Sequence, residues 1–143
     1  MSTIHELSRI CAEQNPNPAE QRKRLSALLK SGANVHASDK NGVTALHHAV
    51  RFRNPMAVKT LIEHGANVNQ ACRKSGSTPL HRAVTSTGAP STAGKQAEAR
   101  EIVTLLLAAG ADPSIRNKQG KTPGDYATDG EIQALLVTGA RPA

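Results

Sequence analysis

The chain has 143 residues, 38% of them hydrophobic, and 18 Lys and Arg against 11 Asp and Glu give a net charge of +7. These figures suit a soluble folded protein of about one domain, and with no Trp, one Tyr and one Phe its core has to be built from Leu, Ile, Val and Ala. No apolar run approaches the roughly 20 residues of a membrane helix, and Met1 to Gln14, with Glu6, Arg9 and Glu13, lacks the apolar centre of a secretory signal.

In chain order, Ile4 to Glu13 reads as a first helix with Cys11 on its apolar side, and Asn15-Pro-Asn-Pro18 as a turn. A basic helix follows over Ala19 to Ser31, with Leu25, Leu28 and Leu29 on one face and Gly32-Ala33 at its end. The same arrangement recurs three times: Val58, Leu61 and Ile62 before Gly65-Ala66; Val103, Leu106 and Leu107 before Gly110-Ala111; Ile132, Leu135 and Leu136 before Gly139-Ala140. Steps of three and four place each trio on one helical face, and a glycine just past the last turn is the residue a left-handed C-cap favours. Between these blocks stand Thr44-Ala-Leu-His-His-Ala49, Thr78-Pro-Leu-His-Arg-Ala83 and Thr122-Pro-Gly-Asp-Tyr-Ala127, each two residues after a glycine. Thr as N-cap, with Pro tolerated at the first helical position, predicts a helix start at each.

Two signatures in fixed phase carry a resemblance. Thr78-Pro-Leu-His-Arg-Ala83 together with Gly110-Ala-Asp112 is similar to the ankyrin repeat, and the likeness extends over essentially the whole chain. It implies an all-α solenoid of stacked antiparallel helix pairs joined by β-hairpin loops, working as a protein-interaction module. The units expected are an N-terminal cap (1–39), a second repeat (40–72), a third (73–117) and a shortened C-terminal cap (118–143). Thr44 to Gly65 spans 21 residues but Thr78 to Gly110 spans 32. The third unit therefore carries an insertion of about 11 residues, placed at 85–95, rich in Gly, Ser, Thr and Pro and expected to be a mobile loop. The interval from Gly65 to Thr78 is 13 residues against 12 for its counterparts, which puts one extra residue in the hairpin around Cys72 to Gly76.

Six histidines invite a metal or catalytic reading. The resemblance makes His47 and His81 structural, with Asp125 as a polar substitute in the same slot, and leaves His5, His36 and His64 isolated. The chain has no H-E-x-x-H, no C-x-x-C and no glycine-rich phosphate loop. Cys11 reads as a core thiol. Cys72, beside Arg73 and Lys74, reads as an exposed, oxidisable thiol whose pKa those cations lower. No base is placed to make it a nucleophile. The expectation is no enzyme, no cofactor and no metal, with both thiols reduced in the cytoplasm.

Ankyrin stacks are implied to bind through a concave face lined by the first helix of each repeat and the hairpin tips. The residue after the signature histidine is His48, Arg82 or Tyr126 in successive units, and the variable pair beyond it is Arg51-Phe52 or Thr85-Ser86. Lys40, Lys74 and Lys118 stand at the hairpins. Lys40, His48, Arg51, Phe52, Lys74, Arg82, Thr85, Lys118 and Tyr126 are thus the candidate contact residues, forming a basic groove for an acidic segment of a monomer's partner protein. The hairpin lysines also admit a plainer reading as solubilising charge. A nucleic-acid-binding accessory is the alternative that the net charge raises, and the shortage of stacking aromatics speaks against it.

Overall fold

The computed structural model describes residues 6–7, 9–10, 17–84, 96–127 and 130–138. Cys11, Thr85, the 85–95 insertion and Gly139 lie outside the described residues. Residues 6–7 and 9–10 are helical, followed by α1 (Pro18–Lys30), α2 (Ala45–Arg51), α3 (Pro55–Glu63), α4 (Pro79–Val84), α5 (Gln96–Ala108), α6 (Pro123–Tyr126) and α7 (Gly130–Thr138). Helices α2, α4 and α6 pack side by side as one row and α1, α3, α5 and α7 as a second. The rows are tied together through α2 on α3, α4 on α5 and α6 on α7.

Short polar residues and prolines set the helix starts. Asn17 and Asn54 each precede a proline and accept a backbone N–H three residues on, from Glu20 and Ala57, both at 3.2 Å. These bonds satisfy donors that a helix N-terminus leaves open. The outer helices end on Gly32, Gly65 and Gly110, all with positive φ. At Gly65 the turn is closed by the Ala66 N–H bonding Leu61 O at 3.0 Å. All twelve aliphatic positions of the repeating trios join one hydrophobic core, with only Leu28, Ile62 and Leu135 half-buried. The loops between pairs are turns rather than a ladder: the Ser38–Thr44 antiparallel bridge is the single β pairing among the described residues.

Successive pairs are joined by two histidines. The Thr44 N–H donates to His47 Nδ1 at 3.1 Å, and His47 Nε2 lies 3.2 Å from Ser77 O in the next unit. One unit later, Thr78 N–H donates to His81 Nδ1 at 3.1 Å, and His81 Nε2 lies 2.8 Å from Lys121 O. Nδ1 must accept and Nε2 must donate, so these partners assign both rings as the neutral Nε2–H tautomer. Asp125 fills the slot at the last hairpin, its Oδ2 accepting from the Thr122 N–H at 2.8 Å. A carboxylate performs the local half of the task but has no proton with which to reach further.

The hairpins also stack through the backbone. Arg73 N–H donates to Asn41 O at 2.7 Å and Lys118 N–H to Ser75 O at 2.9 Å. This approach leaves no room at the preceding glycine: a Cβ on Gly42 falls 2.9 Å from Arg73 N, and one on Gly76 falls 2.9 Å from Lys118 N.

Two outcomes follow. Gly76 (φ +71°) and Gly120 (φ +74°) share a conformation, but nothing lies within 4 Å of a Cβ at Gly120. Gly120→Ala is expected to lose about 1–2 kcal/mol in urea unfolding, the cost of left-handed backbone, and Gly76→Ala roughly 1–3 kcal/mol more from the blocked hairpin contact. His47 is fully buried, and burial followed by the Arg82 charge lowers its pKa from 6.5 to about 4. Its folded pKa is below the unfolded one, so its stabilisation is complete above pH 6.5 and is lost as pH falls toward 4. That loss amounts to at most about 3 kcal/mol, and denaturation midpoints across this window are expected to fall more steeply for wild type than for His47→Gln.

Candidate interaction face

The three hairpins share one internal design with different residues. Asp39 N–H bonds Val43 O at 3.0 Å, Cys72 N–H bonds Ser77 O at 3.0 Å, and Asn117 N–H bonds Lys121 O at 2.9 Å. Asp39, Cys72 and Asn117 therefore occupy equivalent positions. Asp39 Oδ1 accepts the N–H groups of Asn41 (2.8 Å) and Val43 (3.0 Å), and Asn117 Oδ1 accepts those of Gln119 (2.9 Å) and Lys121 (3.1 Å). Burial pushes the Asp39 carboxyl up, but these amides outweigh it and its pKa is lowered.

Cys72 stands in this amide-rich slot and is buried, 3% exposed, with Sγ 3.0 Å from Ser75 Oγ. The expectation of an exposed thiol is corrected, and so is the cause of its acidity. Burial raises the pKa; the Ser75 hydroxyl, the Ser75 and Ser77 amides and the Arg82 side chain overcome it and bring it from 9.0 to about 7. The Arg73 and Lys74 side chains beside it in sequence are not the source. The slot favours an acceptor, and the thiolate serves as one.

The same equivalence re-registers the cations. The residue after the slot is Lys40, Arg73 or Lys118, and Lys74 is the additional residue of the longer hairpin. Counting back from Gly76 selects Lys74; the hydrogen bonds select Arg73, which the candidate set omitted. Lys40, Arg73, Lys74 and Lys118 are all exposed, and among the described residues none takes part in an ion pair.

On the inner helices His48, Arg82 and Tyr126 are half-buried, as is Phe52, while Arg51 is exposed. Burial and then the Arg82 charge lower the His48 pKa, against the pull of Asp39, so His48 presents a neutral ring at pH 7. The Arg51 guanidinium lies 5.8 Å from the centroid of Phe52, close enough for a cation–π contact. Tyr126 is held firmly: its hydroxyl donates to Gln119 Oε1 at 2.9 Å and accepts from Asn117 Nδ2 at 2.8 Å, with its ring edge-on to His81 at 6.2 Å. Its polar end thus braces the last hairpin.

Arg53 was not anticipated. It is buried with φ 55°, and its Nη1 donates to Val50 O at 2.7 Å and to Arg82 O at 3.1 Å, joining the ends of α2 and α4 behind the candidate face. Asn54-Pro55, a repeat of the Asn17-Pro18 start, marks the helix that follows, but no local pattern marks Arg53 itself. On the opposite side, between α5 and α7, Arg100 pairs with Glu131 at 3.3 Å, and between α1 and α3 Arg22 pairs with Glu63 at 3.5 Å. Among the described residues there is no group of three or more His, Cys, Asp or Glu able to hold a metal ion, and no helix long and apolar enough to cross a membrane.

Stacked helix pairs, neutral histidines between them and glycine-tight hairpins define a repeat solenoid. A sequence model described as ankyrin repeats (3 copies) matches residues 10–117, and the chain belongs to the ankyrin-repeat family. It is 40% identical over 114 residues to the zebrafish (Danio rerio) ankyrin repeat and SOCS box protein 11, covering 80% of this chain and 34% of that protein. It is 34% identical over 98 residues to mouse (Mus musculus) Rabankyrin-5, covering 68% of this chain and 8% of that one. The crystal structure of the ankyrin repeat domain of Bcl-3, a member of the IkappaB protein family, aligns with a TM-score of 0.69 at 31% identity, over 84% of this chain and 47% of that chain. The chain thus spans about a third of the first relative and a small fraction of the second. Ankyrin repeats are general protein–protein interaction modules.

The slot chemistry gives a test at Cys72. In a Cys11→Ser background, the ultraviolet absorbance of the thiolate is expected to titrate with a midpoint of about 7. Ser75→Ala removes the donor that lowers it most and is expected to move the midpoint upward.

Proposed function

We propose that the chain is a protein-binding module that holds an acidic segment of a partner protein against its hairpin tips and inner helices. The observation that carries this reading is a cluster of exposed cations at successive hairpins. The hairpin carboxylate of Asp39 is engaged by the amides of Asn41 and Val43, and the exposed Asp125 caps the last inner helix through the Thr122 N–H. Lys40, Arg73, Lys74 and Lys118 are exposed and free of ion pairs among the described residues, and Arg51 is exposed at the far end of α2. Two cations on the outer row, Arg22 and Arg100, are paired with acids. A cluster of exposed cations that outnumbers the acids beside it attracts a partner of the other sign and speeds its encounter.

Phe52, half-buried beside Arg51, supplies the aromatic and arginine pairing that concentrates affinity at interfaces. Within this reading the units are those at 1–39, 40–72, 73–117 and 118–143, the protein acts as a monomer without catalytic chemistry, and its compartment is the reducing cytoplasm. The unbridged, buried Cys72 thiol is in keeping with that compartment.

Binding of a fluorescent polyglutamate peptide, followed by anisotropy, tests the reading. Affinity is expected to fall about tenfold or more in an Arg73→Glu, Lys118→Glu double variant, as reversal of two exposed charges allows. Arg22→Glu, on α1, is expected to stay within about twofold. Equal losses from both variants would make the effect one of net charge alone, and tighter binding of single-stranded DNA of matched charge would favour the nucleic-acid alternative.

A further inference from the structure

The hairpin geometry fixes the register of the charges as well as their sign, and the following rests on the reading of the face as a site for an acidic segment. Lys40, Arg73 and Lys118 occupy one equivalent position in three successive hairpins, each directly after the slot held by Asp39, Cys72 or Asn117. Backbone bonds lock the register: Arg73 N–H to Asn41 O at 2.7 Å, Lys118 N–H to Ser75 O at 2.9 Å. The side-chain stems are guided too. Arg73 Cγ lies 3.3 Å from the place a Cβ on Gly42 would take, and Lys118 Cγ lies 3.1 Å from the corresponding place at Gly76. The Arg73 and Lys118 stems thus run over the glycine of the hairpin before each, and with Lys40 at the equivalent position of the first hairpin the cations follow one another along the stack.

The repeat of that row follows from helix packing. Neighbouring helices pack about 8–10 Å apart, so one cation recurs at about that interval. A β-strand returns a side chain to the same face every second residue, at about 7 Å and about 13 Å; neither coincides with the next two members of the row, at about 8–10 Å and about 16–20 Å. A polyproline II chain has three residues per turn and rises about 3.1 Å per residue. Its positions i, i+3 and i+6 therefore share a face and recur at about 9 Å, the interval of the row. Such a chain is also extended before it binds, so little ordering cost is added.

We propose that the partner segment is a proline-rich acidic stretch in polyproline II conformation. It carries Asp or Glu at every third position, one carboxylate to each of Lys40, Arg73 and Lys118. The neutral His48 and the tethered Tyr126 on the inner helices leave the hairpin row as the discriminating element, and the Arg51–Phe52 pair lies beyond it for a neighbouring side chain.

Three synthetic peptides of equal length and charge, each with three Glu, distinguish the possibilities against the full chain at low salt. One has Glu at every third position among prolines. The second has the three Glu contiguous among the same prolines. The third has them seven apart in an alanine-rich helix, which also repeats at about 10 Å. The every-third peptide is expected to bind about tenfold more tightly than the contiguous one, and Arg73→Gln, with unchanged circular dichroism, is expected to remove most of that preference. Equal binding of the first two peptides would overturn the register while leaving the acidic site intact, and preference for the helical peptide would overturn the conformation. Failure of all three to bind would bring down the acidic-segment reading itself.

Discussion

A helix pair in this chain cannot close its own hydrophobic side, and at two successive junctions the bond that carries one pair onto the next is a histidine proton. His47 accepts from the backbone of its own helix start and donates to Ser77 O; His81 does the same with Lys121 O. Both functions need a neutral ring of one tautomer, in a place almost without solvent. At His47 burial enforces neutrality, because a charged imidazole there would lose its hydration and put a proton where it must accept. Local capping and long-range stacking are therefore a single event. That coupling suits a solenoid, whose stability is a sum of units and the interfaces between them.

From the histidines outward, each hairpin is placed closely enough for backbone to touch backbone. Gly42 and Gly76 permit the contact, and the amide groups left inside each turn are collected by Asp39, by Asn117 and, in the longer turn, by Cys72 through Ser75. The electrostatics of the exposed face is a by-product of this internal bonding. An acid at a hairpin is worth more to its own amides than to a neighbouring lysine in water, since charge-assisted bonds to several N–H groups outlast a solvent-screened ion pair. Asp39 is held on its own turn, and the cations beside it remain exposed.

Most of the fold was legible because its determinants are periodic. The trios ahead of Gly32, Gly65 and Gly110 declare the outer helices, and Thr44 and Thr78 declare the inner ones. A one-residue difference in hairpin length was also legible as a count. Its position was not, because sequence alone allows the extra residue on either side of Arg73. Only the equivalence of Cys72 with Asp39 and Asn117, visible in the hydrogen bonds, makes Lys74 the additional residue and Arg73 the member of the row. Cys72 was misjudged for a related reason. Its neighbours in sequence are Arg73 and Lys74, but its neighbours in space are serine hydroxyls, amides and the sequence-distant Arg82.

Arg53 shows where local reasoning ends. A buried guanidinium with positive φ runs against both the hydrophobic pattern and backbone preference. It is tolerated because two carbonyl oxygens, from Val50 and Arg82, accept its protons where helices α2 and α4 finish. Helix C-termini leave carbonyls unsatisfied and carry partial negative charge, so a cation inserted between two of them answers both needs. The same insertion fixes the end of α4 from which Arg82 projects, and Arg82 in turn reaches Cys72 and bears on His48. The side chains of the inner face are therefore held from behind by a buried charge, which gives an extended partner a rigid surface to read.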